Sequence, residues 1–144
     1  MSIEIRAEVL DRAGAHQVTL ETNGRARELA VPPRAGGRGS SANGGELLFL
    51  ALATCYCNDL HREAGKRGLV LDEIRVEVRG RFASEPGSAA EGIEYDATVV
   101  AAAAEAELVA LMEHTDRVAE VHNTLRRGTP VTLGRRIAVD TRVS

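Results

Sequence analysis

Ile3, Ile5, Ala7 and Val9 alternate with Glu4, Arg6 and Glu8, the two-residue period of a half-buried strand. Turn residues follow at 11–14, and Val18, Leu20 and Thr22 then alternate with Gln17, Thr19 and Glu21. Asn23-Gly24 is a strong short-range hairpin signal, and a third short strand over residues 28–31 should end at Pro32-Pro33. The first third therefore predicts a three-stranded antiparallel meander. After a glycine- and serine-rich loop the period disappears, because residues 47–53 are apolar without a break. A helix that is apolar all round calls for burial all round, and this one is too short to span a bilayer. Asn43 suits the N-cap, and Glu46 completes a capping box. The end is expected near Gly68, with Arg62, Lys66 and Arg67 favourably placed in the last turns.

Alternation returns at Ile74, Val76 and Val78, giving a strand that reaches Phe82, and again at Ile93, Tyr95, Ala97 and Val99. A loop joins the two as a second hairpin. Leu108, Leu111, Met112 and Thr115 have helical spacing, residues 119–127 add a further helical stretch, and Ile137, Val139 and Thr141 suggest a closing strand. Strands come in runs rather than in strict alternation with helices, so the class is α+β. With no internal repeat or linker, residues 1–144 are expected to form one domain. So small a domain has few elements with which to cover an all-apolar helix, which points to burial by a second chain.

Composition narrows the function classes. A net charge of -3 and an aromatic content of 3% leave neither a basic footprint nor stacking platforms, so nucleic acid is not an expected partner. Nor is a membrane, since no secretory signal or spanning stretch is present. Two cysteines one residue apart make no disulfide framework, and a cytoplasmic location with reduced thiols is expected.

Those cysteines, Cys55 and Cys57, carry the candidate chemistry. On an ideal helix they point about 160° apart, so a strain-free bond between them is not expected. Cys57 shares a face with His61, but only His122 offers a further ligand, so neither a metal nor a cofactor is expected. Asp59, one turn beyond Cys55, would raise its pKa. Activation of the thiol would have to come from an arginine: Arg62 on the same face, or Arg12 or Arg38 from a loop. Glu46 faces away from Cys55 and lies about 13 Å along the axis, which suits a capping role.

Two segments resemble motifs of the OsmC/Ohr family, the osmotically inducible and organic-hydroperoxide-resistance proteins. Asn43-Gly44-Gly45-Glu46-Leu47-Leu48 precedes Cys55 as that family's Asn-Pro-Glu-Glu-Leu-Leu type motif precedes its reactive cysteine. Ala119-Glu120-Val121-His122-Asn123-Thr124-Leu125 matches its Cys-Pro-Val-x-Asn-x-Leu motif. The resemblance implies an OsmC-like α+β fold and an intertwined homodimer whose two sites lie at the subunit interface. It also implies a thiolate that attacks an organic hydroperoxide, a second cysteine that closes a disulfide, and an arginine and a glutamate that poise the first thiol. Cys55 matches the attacking thiol, Ala119 takes the resolving position, Gly45 takes the glutamate's, and Arg12 or Arg38 would hold the substrate. The implied activity is that of a one-cysteine peroxidase reduced by an external thiol. The alternative is a non-catalytic dimer that holds a small molecule in an apolar pocket at the subunit interface.

Overall fold

The computed structural model describes residues 2–142. Strands β1 (Ile5–Arg12), β2 (Ala15–Thr22) and β3 (Arg25–Leu29) are followed by helix α1 (Gly44–Lys66). Strands β4 (Leu71–Phe82) and β5 (Ala90–Ala101), then helices α2 (Glu105–Val118) and α3 (Glu120–Arg126), complete the order. The architecture is mixed α+β, as the patterning implies. By internal contacts the chain divides into two units, one reaching from the N-terminus to Ala53 with Glu77–Asp96, the other holding Thr54–Val76 and the chain from Ala97 onward. Helix α1 and both long strands contribute to each.

In the first unit β1, β2 and β3 form the expected meander in the order β1-β2-β3. Asn23 and Gly24, at φ of 48° and 82°, make the left-handed turn that a two-residue hairpin needs. The Asn23 side chain also accepts the Glu4 N–H at 3.0 Å. Contrary to the half-buried expectation, β1 is exposed along its whole length. The turn after β1 is tied to the following loop. Asp11 accepts the Gly39 N–H at 3.1 Å and pairs with His16 at 2.9 Å, while the Gly14 N–H reaches the Gly37 carbonyl at 3.1 Å. The capping box closes as expected: the Glu46 N–H donates to Asn43 Oδ1 at 2.8 Å, and the Asn43 N–H to Glu46 Oε1 at 3.0 Å. Phe49 and Phe82 stack with ring centroids 6.0 Å apart.

The second unit holds most of the buried side chains. Along α1, Tyr56, Leu60 and Ala64 recur every four residues and are almost fully buried, one helical stripe. Leu108, Leu111 and Thr115 of α2 are buried at the predicted spacing, and the Thr115 hydroxyl donates to the Leu111 carbonyl at 2.7 Å. The C-terminus of α1 is closed by Gly68 at φ 69° and by the Leu69 N–H on the Ala64 carbonyl, a left-handed cap.

Two further expectations need correcting. Helix α1 is not buried on every side within this chain, because Leu50 is 58% exposed and Leu47 is exposed as well. The closing strand at residues 137–141 is not formed. From residue 129 to residue 141 there is neither helix nor strand, and Ile137 and Val139 are exposed. Alternation creates a face, but a strand also needs an edge to pair with, and within this chain that segment pairs with none. Among the described residues no helix is long and apolar enough to cross a membrane.

Candidate active site

Cys55 lies on α1, half-buried and unbonded to another cysteine. One turn later, at the spacing that puts two helical side chains on one face, stands the buried Asp59. The thiol donates to Asp59 Oδ2 at 3.6 Å. Asp59 turns its other oxygen to Arg62, whose Nη1 lies 3.1 Å from Oδ1. From α3 comes Glu120, which takes the same Arg62 Nη1 at 2.8 Å and sets its carboxyl within 4.8 Å of that of Asp59. The backbone N–H of Val121, in the first turn of α3, acts on Cys55 in the direction that favours the thiolate. Such an N–H has no partner within its own helix, so it is free to serve the thiol.

The electrostatics follow from these contacts. Burial pushes the Cys55 thiol up, and the charges of Asp59 and Glu120 push it further, against the opposing N–H of Val121. Burial likewise raises Asp59, and the Glu120 carboxyl beside it adds to the rise, with Arg62 opposing. At Glu120 partial burial pushes upward, but the Arg62 hydrogen bond and its neighbours outweigh it and the carboxyl is lowered. Arg62 is anchored by Glu63 first and Glu120 second, and is held firmly protonated.

Behind this layer Glu63 is buried and accepts from Arg62 Nε at 2.9 Å and Lys66 Nζ at 3.0 Å, while His114 Nε2 lies 2.9 Å from its other oxygen. Those hydrogen bonds, Arg62's foremost, lower its pKa to about 2. His122 is buried at a ring-centroid distance of 5.9 Å from Tyr56, and burial lowers its pKa. The Tyr56 hydroxyl donates to the Met112 carbonyl at 2.8 Å.

Among the described residues, Cys55, Asp59 and Glu120 also form the group that could hold a metal ion, with ligand atoms all within 4.8 Å of one another. Arg62 already supplies a positive charge that both carboxylates share. Neither Cys57 nor His61 belongs to it.

Arg12 ends β1 and Arg38 lies in the loop between β3 and α1, both exposed. They belong to the first unit, on the two segments that the Gly14 and Gly39 hydrogen bonds tie together, and the charge of Arg38 helps to lower Asp11. The arginine at Cys55 within its own unit is Arg62. Asp59 and Arg62 were readable from helical spacing. Glu120 was not, since it comes from another helix, and its only signal was its place beside Ala119.

The sequence profile of the OsmC-like proteins matches residues 37–134. The chain belongs to the OsmC-like protein family. Solved structures agree in fold. An OsmC-like protein from Mycoplasma pneumoniae is 16% identical, with 88% of each chain covered and a TM-score of 0.62. A hypothetical protein from Aquifex aeolicus is 18% identical over 90% of each chain, at 0.63. An organic hydroperoxide resistance protein from Legionella pneumophila is 20% identical, covering 85% of this chain and 89% of its own, at 0.55. Among curated proteins there is no match. Ala119, where the motif resemblance expects a second cysteine, is fully buried, and Gly45 stands where it expects a glutamate.

Proposed function

We propose that this OsmC-like protein is a one-cysteine peroxidase for organic hydroperoxides, with Cys55 as the attacking thiol and an external thiol as reductant. The observation that carries the reading is the Cys55 thiol itself, half-buried on α1 with a carboxylate acceptor at 3.6 Å. Support also comes from structural neighbours described as organic hydroperoxide resistance proteins. The chemistry balances as thiol plus hydroperoxide giving sulfenic acid and alcohol, after which two equivalents of external thiol restore Cys55 and release water and a disulfide. Arg12 and Arg38 are proposed to hold the substrate, their replacement by alanine raising KM. Stopped-flow consumption of cumene hydroperoxide with a dithiol reductant tests the reading, and a rate unchanged in Cys55→Ser overturns it.

A second reading is favoured by the upward shift of Cys55, which keeps the thiol protonated and less nucleophilic. On that reading the protein holds a small apolar ligand without turning it over. In its support, the first unit carries a groove of about 410 Å³ in which Val18, Leu29, Ala30, Val31 and Pro32 stand beside the polar His16, Gln17 and Glu28. Native mass spectrometry of freshly purified protein discriminates, since a stoichiometric co-purifying ligand favours binding and empty protein counts against it.

Either activity is proposed to reside in a cytoplasmic homodimer of single-domain subunits. The exposed Ile5, Val9, Leu50, Ile137 and Val139 support the dimer, being more apolar surface than a lone subunit usually leaves open. Light scattering at the mass of two chains is the expected result.

A further inference from the structure

Cys55, Asp59 and Glu120 form a line from a half-buried sulfur to the surface. The thiol donates to Asp59 Oδ2 at 3.6 Å, the facing atoms of Cys55, Asp59 and Glu120 all lie within 4.8 Å of one another, and the Glu120 side chain is 62% exposed. Glu120 also borders a surface pocket of about 300 Å³ with Asn123, Thr124, Arg127 and Thr129. Arg62 Nη1 braces the pair from the opposite side, 3.1 Å from Asp59 and 2.8 Å from Glu120. The oxygen of Asp59 that faces the thiol is the one Arg62 leaves unoccupied.

We propose that Asp59 is the general base and acid of the Cys55 reaction and that Glu120 connects it to solvent, forming a relay for the thiol proton. The proposal rests on the peroxidase reading. As the sulfur attacks the distal oxygen of the hydroperoxide, an S–O bond forms, the O–O bond breaks, and the S–H proton passes to the Asp59 carboxylate. The departing alkoxide takes the electron pair and receives that proton from Asp59, so that thiol and hydroperoxide become sulfenic acid and alcohol with Asp59 regenerated. The elevated pKa of Asp59 brings it nearer that of the thiol, which improves it as a base.

A purely electrostatic role for Asp59 has the opposite sign: a fixed negative charge keeps a thiol protonated and slows it. The two are separable because the other charged groups facing the pair within this unit are known. Arg62 and Glu63 lie on α1 and Glu120 on α3, with Lys66 and His114 acting through Glu63.

The experiment is iodoacetamide alkylation of Cys55 against pH in a Cys57→Ser background, with Asp59→Asn and Glu120→Gln, beside cumene hydroperoxide turnover of the same proteins. A relay gives a rate profile with two steps, a lower one from the carboxyl pair and an upper one from the thiol. Asp59→Asn then removes the lower step and slows alkylation at neutral pH by about 10²-fold, the low end for general-base catalysis. Glu120→Gln, an exposed change that spares the fold, moves the lower step to lower pH because it removes the neighbour that raises Asp59. Faster alkylation in Asp59→Asn, or a lower step unmoved in Glu120→Gln, overturns the relay. A two-step alkylation profile without hydroperoxide turnover would instead overturn the peroxidase reading, leaving Asp59 as the base of a thiol with another electrophile.

Discussion

Gly45 lies against the ring of Phe82, close enough that a Cβ at position 45 would stand 3.0 Å from Cε1. Position 45 is where the family resemblance expects a glutamate. Phe82 fills that space and is itself stacked on Phe49, so a side chain at 45 has to displace an aromatic pair. Restoring the acid as Gly45→Glu is expected to lower stability by about 1 kcal/mol, the mild end of overpacking because the ring can yield outward. Urea unfolding monitored by circular dichroism measures it.

Glu46 is engaged in the capping box with Asn43 and serves the helix terminus. Asn43→Ala is expected to cost about 1 kcal/mol, and Glu46→Ala somewhat less. Neither should change the alkylation rate of Cys55. A rate change in Glu46→Ala would reassign that carboxylate to the thiol.

The contrast between Glu46 and Glu120 shows what was legible in the chain. Both members of the capping box lie within one turn, so local pattern identified them, as it did the Asn23-Gly24 turn and the Leu108, Leu111, Thr115 face. Asp59 and Arg62 were placed beside Cys55 by the same short-range geometry. Glu120 reaches the site only because α3 packs its first turn beside α1, a long-range fact that no periodicity encodes. The strand expected at residues 137–141 failed for a related reason: alternation marks a face, while pairing depends on an edge elsewhere. Leu50 had the composition of a core residue, yet its exposure depends on what covers α1.

The α2 face anchors the second unit. Leu111 has no exposed surface, and Leu111→Ala is expected to destabilise by about 3 kcal/mol through lost burial and the cavity left behind. Denaturant midpoints at unchanged slope would record it.

Gly80 is closely confined in the first unit, since a Cβ there would meet Phe49 Cζ at 2.9 Å and the Ile93 backbone at 3.3 Å. With backbone on one side, relief by side-chain rotation alone is limited. Gly80→Ala is expected to cost about 2 kcal/mol, read as a fall in melting temperature.

Glu63 sets a pH dependence of stability. Its carboxyl is lowered from an ordinary 4.5 to about 2 by Arg62, Lys66 and His114. A group depressed in the folded state contributes its full stabilisation above its unfolded pKa and loses it as pH falls through the folded one. Stability should therefore decline between pH 4.5 and about 2, and Glu63→Gln should flatten that part of the curve.

The most direct measurement of the central claim is the fate of Cys55 after one equivalent of cumene hydroperoxide without reductant, trapped with dimedone and located by peptide mass spectrometry. The account predicts a sulfenic acid adduct on Cys55, none on Cys57, and stoichiometric cumyl alcohol. An unmodified Cys55, or an adduct confined to Cys57, would contradict it.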